Sequence, residues 1–547
     1  MTANLGSAGV PSASSLGVSP SGVDHIACMV PGDKDFTAAK EATLNLLVYC
    51  QSRNWAGYDP YDALNSRIFK ALPFLNSRIP RLALTQALKR CPINLRPLFL
   101  ISGTQNPKGL ALFLQAVMRL SKLGLIDGGD EIAKSLAKGI EQLRSPNTSF
   151  WCWGYSFPWQ TRTQLVPART PNLVCTLFVA EALLDFYEAT EQEHYLNIAA
   201  SAADYIVKEL YWENDATCSF SYPFPSSRTP VHNANLLAAA FLCRVSHLIG
   251  GARPSPGAAT FATPEAGDPS EAASLSLTPR FSEVNVRAEI KSTVSTVSPF
   301  QPPVSSVLES TLPTGNKKYL TPALNAARYS VKRQRTDGSW LYGESNKYAW
   351  VDNFHTGYNL CALRNIGKYL ETAEFDQSLR IGFEFYRNHF FRDDAAPKYF
   401  HDRTYPIDVH CVAQSLITLL ELKDLHHDNI NLARRVFSWS LANLQDDDGY
   451  FYHQKLPFGT IKIPYMRWGQ AWMLVASSLL LEKGFLETSG GADHHVSPKL
   501  ERDFLKTCPG GTPDNSPTFQ GWVADRAAKS PGGTAELCIG NSKSTLQ

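Results

Sequence analysis

Two aspartates and three histidines stand out by where they fall. Asp352 precedes His355 by three residues in Trp350-Val351-Asp352-Asn353-Phe354-His355-Thr356-Gly357-Tyr358, and Asp408 precedes His410 by two in Tyr405-Pro406-Ile407-Asp408-Val409-His410. His232 opens a third string, His232-Asn233-Ala234-Asn235. Each histidine stands where an apolar helical pattern begins, a coincidence that composition does not predict in a chain with 13 His. Two carboxylates facing one pocket would supply the acid and base of glycoside hydrolysis, and their separation would set retention or inversion. A histidine at a helix N-terminus is kept from protonating by the helix dipole, which leaves a neutral base near pH 7. Taken singly, each aspartate is equally an ordinary N-cap, and each histidine equally a cap or a satisfied core residue.

Groups suited to holding a sugar crowd the same positions. Trp350, Tyr358, Tyr405, Tyr465 and Trp468 offer flat apolar faces, and Asn233, Asn235 and Gln470 offer hydroxyl-bonding amides. Arg162, Arg169 and Arg467 are cations able to grip a carboxylate with two parallel bonds. Asp59, in the turn-forming string Gly57-Tyr58-Asp59-Pro60, belongs to a polar and aromatic segment placed to close a pocket mouth from one side. The chain has no C-x-x-C pair, phosphate-binding glycine loop, dinucleotide fingerprint, zincin motif or serine-hydrolase elbow, so neither a metal nor a cofactor is expected.

The elements that must position these residues repeat. Strongly apolar helical segments begin near Lys108, Pro171, His232, His355, His410 and Gly469, at intervals of about 55 to 63 residues with one gap of roughly twice that. Ahead of each lies an amphipathic helix, at 38–51, 130–143, 195–210, 319–333, 375–388 and 429–444. A helix apolar all round belongs inside, and one with a polar stripe outside. The expected fold is therefore all-α, an (α/α)6 toroid of six inner and six outer helices. Aromatic-rich turns such as Asp337-Gly338-Ser339-Trp340 and Asp448-Gly449-Tyr450-Phe451 are expected to open short hairpins in the connections. Loops entering the inner helices then share one mouth, where the residues above collect.

Residues 1–34 and an insertion at 252–316 read as disordered from their Ser, Gly, Pro and Ala content, and so does most of 491–547, with one short helix near 498–507. The toroid domain spans 35–490. A net charge of +2 from 52 basic and 50 acidic residues gives no reason to expect nucleic acid or an anionic membrane as partner. No run of apolar residues is long enough to span a bilayer, and the scattered cysteines suit a reducing compartment, so a cytoplasmic chain is expected. The partner expected is an oligosaccharide or polysaccharide.

The hairpin rhythm and Arg467-Trp468-Gly469-Gln470-Ala471-Trp472 resemble the six-hairpin glycosidase superfamily, especially its unsaturated glucuronyl hydrolases. N-acylglucosamine 2-epimerases share that architecture. The strings at 60–66, 232–238, 352–358 and 405–414 look like those of proteins from bacterial polysaccharide gene clusters. The hydrolase resemblance implies an aspartate as general acid, by position Asp352 or Asp408. The epimerase resemblance implies histidines that move a proton on the sugar, by position His232, His355 or His410. Three readings stand side by side: an enzyme cleaving or modifying a uronic-acid- or amino-sugar-containing glycan by carboxylate acid/base chemistry, a histidine-based epimerase, and a non-catalytic glycan-binding or assembly protein.

Overall fold

A computed structural model describes residues 34–161, 164–251 and 317–486. The expectations for 1–33, 252–316 and the tail, and the candidate Arg162, lie outside the described residues. In chain order the helices are α1 (Lys34–Gln51), α2 (Arg67–Ala71), α3 (Arg78–Arg90), α4 (Pro107–Lys122), α5 (Gly129–Gln142), α6 (Leu173–Thr190) and α7 (Glu193–Tyr205). They continue with α8 (His232–Gly251), α9 (Lys317–Val331), α10 (Asn353–Leu370), α11 (Asp376–His389), α12 (Val409–Glu421), α13 (Asn429–Leu444) and α14 (Ala471–Leu479).

Six of these form a closed inner ring: α4 packs on α6, α6 on α8, α8 on α10, α10 on α12, α12 on α14, and α14 back on α4. Five others surround it, α5 against α4, α7 against α6, α9 against α8, α11 against α10 and α13 against α12. The sixth pair joins the two ends of the domain, since α1 packs against α14. The toroid is thus closed, not an open solenoid, and one continuous apolar core runs between the two layers. Composition explains the sorting. Helix α6 buries Leu173, Val174, Cys175, Leu177, Val179, Ala180 and most of its remaining length, whereas α5 buries only one stripe, Ala133, Leu136, Ala137 and Ile140.

The connections show why aromatic residues recur after the outer helices. The indole N–H of Trp153 donates to the Ile140 carbonyl of α5, and that of Trp340 donates to the Ser330 carbonyl of α9. Each fully buried ring thereby satisfies a carbonyl that its helix end leaves open. Short antiparallel hairpins occur in three connections: β1 (Trp159–Gln160) with β2 (Leu165–Val166), β3 (Tyr211–Asn214) with β4 (Thr217–Phe220), and β6 (Gln454–Leu456) with β7 (Gly459–Ile461). Strand β5 (Ile407–Asp408) adds to β6. The turn at Asp337–Trp340 opens no hairpin, unlike the expectation. Instead Gly338, at φ +90°, packs against α11, where an added Cβ would lie 2.4 Å from the Ile381 carbonyl oxygen.

Candidate active site

The inner helices start with side chains that turn back onto their own backbone. Asn106, Asn172, Asp352 and Asp408 each accept a hydrogen bond from an amide in the first turn of α4, α6, α10 and α12. Capping accounts for a polar residue at these positions. What separates the two aspartates from the two asparagines is the rest of their bonding.

Asp352 is buried, with Oδ1 accepting from the His355 amide at 3.0 Å. Its Oδ2 meets the Trp350 indole N–H at 2.8 Å and His355 Nδ1 at 2.7 Å. A carboxylate can only accept, so His355 Nδ1 carries the proton of this contact, and in the neutral ring Nε2 is the nitrogen that holds the lone pair. The His355 side chain keeps 21% exposure, while that of its aspartate has 1%. The histidine is therefore the more exposed member of the pair. Tyr342 packs 4.5 Å from the His355 ring and stacks on Trp350 at 4.7 Å, walling this side.

Asp408 likewise accepts three bonds: Oδ1 from the His410 amide at 2.8 Å and the Trp468 indole at 3.0 Å, and Oδ2 from Gln454 at 2.6 Å. His410 does not contact this carboxylate through its ring. Its Nε2 lies 2.6 Å from the Tyr358 hydroxyl, and its Nδ1 has no partner among the described residues. Burial first, then Lys108 and Arg467, hold its pKa well below the usual imidazole value, so His410 is neutral. Phe354 lies between the two histidines, 4.1 Å from the His355 ring and 4.8 Å from the His410 ring. Trp468 and Trp472 close on His410 at 4.7 and 4.6 Å.

The cations differ in how they are matched. Arg467 donates to Asp59 at 2.6 Å and stacks over Tyr155 at 4.8 Å, and this buried carboxylate raises its pKa despite desolvation. Asp59 is thus a counterion, with its second oxygen accepting from the Tyr61 amide. Lys108 is 3% exposed, yet its ammonium has only the rings of Phe178 at 3.8 Å and Trp472 at 5.0 Å as close company among the described residues. Burial, then the neighbouring Arg467, push its pKa well down. Sequence reasoning noted Lys108 only as the start of a helix. The available signal was a lysine set in Pro107-Lys108-Gly109-Leu110 at the head of an otherwise apolar run.

Asp352, His355, Tyr358, Trp350, Asp408, His410, Trp468, Arg467 and Asp59 are linked by these contacts into one cluster. Other candidates face elsewhere. His232 turns toward the outer layer, with Nδ1 3.3 Å from the Ser330 hydroxyl of α9, and burial lowers its pKa to about 4. Asn235 bonds Ser219, the Phe220 amide and Ser330, and Gln470 bonds both backbone groups of Phe451. Arg169 donates to the Gln142 and Arg144 carbonyls at the end of α5. Tyr465 sits in a satellite apolar cluster with Ile461 and Ile463, under Arg96. Tyr405 is half-buried against the core, and Asn233 is buried with an Oδ1 that has no partner among the described residues.

No protein-family model and no curated protein matches the sequence. Solved structures that it resembles include an unsaturated glucuronyl hydrolase specific for heparin, with 12% identity, a TM-score of 0.46, and 82% of this chain and 98% of that chain covered. A family 76 glycoside hydrolase from a bovine Bacteroides thetaiotaomicron strain aligns at 10% identity and TM-score 0.49, over 82% of this chain and 78% of that one. The cellobiose 2-epimerase of Bacillus thermoamylovorans aligns at 8% identity and TM-score 0.45, over 69% and 88%.

Proposed function

We propose that this protein is a carbohydrate-active enzyme that removes a proton from a sugar carbon next to a carboxylate or carbonyl group, with His355 as base. The observation that supports this reading is the 2.7 Å contact between Asp352 Oδ2 and His355 Nδ1, which engages one ring nitrogen with a carboxylate and leaves Nε2 for the substrate. An oriented imidazole with a buried carboxylate behind it gains proton affinity in the transition state, when it becomes cationic. The Tyr358 hydroxyl is the second proton carrier. Burial holds its pKa well above 10, so it remains a donor, and His410 behind it accepts at 2.6 Å. Arg467 holds the acidic or carbonyl oxygen together with Lys108, whose proton an anionic oxygen beside it would retain, and this positive charge stabilises the electron pair that the departing proton leaves behind. Return of the proton to the other face gives an epimer of the same mass. Loss of the neighbouring oxygen substituent, protonated by Tyr358, gives an unsaturated sugar.

Hydrolysis by Asp352 and Asp408 is less well supported, because each already accepts three N–H bonds of the roughly four acceptor sites a carboxylate has. The test is incubation of uronic-acid and N-acetylamino-sugar oligosaccharides in heavy water, with products resolved by mass. Deuterium uptake or an unsaturated product is expected, abolished in His355→Ala and reduced about a hundredfold or more in Asp352→Asn. Cleavage that takes oxygen from water, persists in His355→Ala and is lost in Asp408→Asn would overturn the reading in favour of hydrolysis. Binding of these sugars with no turnover would point to a glycan-binding protein.

A further inference from the structure

Between Asp62 and Asp127 the chain has no acidic residue at all. Within that interval, residues 66–100 contain seven basic residues, leaving 45 basic against 50 acidic in the rest of the chain. The near-neutral total therefore conceals a segregated positive segment. The same 35 residues expose large apolar side chains: Ile79 at 77%, Phe74 at 74%, Leu98 at 70%, Ile93 at 68%, Leu100 at 53% and Ile68 at 39%. Of the large hydrophobic residues exposed among the described residues, most are these six.

The seven cations divide by direction. Arg96 pairs with Asp62 at 2.7 Å, Lys89 reaches the Tyr61 hydroxyl and Arg81 the Gln160 side chain, so these three hold the segment against the preceding loop and β1. Arg67, Lys70, Arg78 and Arg90 are exposed and have no acidic partner among the described residues. They alternate with the exposed apolar groups, Arg67 beside Ile68, Arg78 beside Ile79 and Arg90 ahead of Ile93. Tyr61, 6.1 Å from Trp468, places this segment beside the mouth.

We propose that residues 66–100 form a membrane-docking surface that seats the protein on an anionic bilayer. Cations interleaved with apolar side chains match a headgroup layer over hydrocarbon, each cation strengthening binding about fivefold and each inserted side chain adding to it. Docking would be peripheral, since no helix among the described residues is long and apolar enough to cross a membrane. The exposed side chains are five aliphatic residues and one phenylalanine. A polyanionic glycan would call for the basic residues alone and would leave these exposed apolar side chains without a role. Residues 252–316 carry six acidic and four basic side chains and residues 487–547 seven and six, so neither is an acidic block.

The test is sedimentation of the full chain with phosphatidylcholine vesicles, with and without phosphatidylglycerol. Partitioning only with the anionic vesicles is expected, weakened at least tenfold in the Arg67→Gln/Arg78→Gln/Arg90→Gln variant and in Phe74→Ser/Ile79→Ser/Leu98→Ser. Circular dichroism melting checks that both variants are folded, which surface substitutions leave intact. No partitioning of the wild type at low salt would overturn the proposal, as would equal partitioning by both variants. So would self-association abolished by the serine variant, or binding to soluble heparin without binding to vesicles.

Discussion

At the scale of single residues, the site rests on a contrast between matched and unmatched charges. Asp352, Asp408 and Arg467 have hydrogen-bonded partners within the fold, and among the described residues Lys108 has only aromatic rings. An ammonium enclosed by aromatic rings with no anion is costly to keep. We expect Lys108→Met to raise thermal stability while raising KM for acidic sugars at least tenfold and leaving neutral analogues unaffected. Calorimetry and steady-state kinetics on the same preparation measure both sides of this exchange. A KM unchanged for acidic sugars would remove Lys108 from substrate recognition. The aspartates and His355 were readable as candidates because they stand at helix starts. Their division of labour was not, because it depends on which ring nitrogen reaches which oxygen.

At the scale of elements, the loop before α6 is the most constrained. The backbone of Trp153 to Tyr155 runs against that of residues 169–172, with Arg169 donating to the Tyr155 carbonyl at 2.7 Å and Asn172 to the Trp153 carbonyl at 3.0 Å. Gly154 lies between, where a Cβ would fall 1.9 Å from the Thr170 carbonyl oxygen. Gly154→Ala should therefore cost about 2 kcal/mol or more, and should displace Tyr155 from beneath Arg467. Urea unfolding measures the first effect, and a raised KM for the sugar reports the second. The first turn of the last inner helix is a π-type turn, Met466–Gln470, which directs Arg467 toward Asp59 and Trp468 toward Asp408. The string Arg467-Trp468-Gly469-Gln470 was visible as chemistry in the sequence, but the widened turn that aims it was not.

At the scale of the whole molecule, burial of neutral histidines makes stability depend on pH. His232 and His453 are each lowered to about 4 by burial, against 6.5 when unfolded. Below pH 6.5 the unfolded chain binds protons that the folded chain refuses, so stability is lost as pH falls toward 4, on the order of 2 kcal/mol per histidine at pH 5. Asp62, raised to about 6 by burial, acts in the opposite sense and offsets part of this loss. Melting temperature should thus fall between pH 7 and pH 5, and His453→Gln should flatten that dependence. A flat profile in the wild type would contradict the burial of these rings.

The ring of twelve helices was legible in the linear order because a helix that must be buried on all sides differs in composition from one that faces water, and the difference recurs about every 60 residues. That the inner-helix starts share one end was legible for a related reason, since a closed ring leaves them no other arrangement. Only the tertiary structure decided which side chains turn into that mouth. His232 starts its helix as His355 and His410 do, but Ser330 on α9 takes up its ring. Lys108 became a candidate only through what surrounds it, and the basic segment at 66–100 only through its exposure. Composition fixes how much apolar and charged surface a chain has, while direction and pairing depend on contacts between residues far apart in sequence.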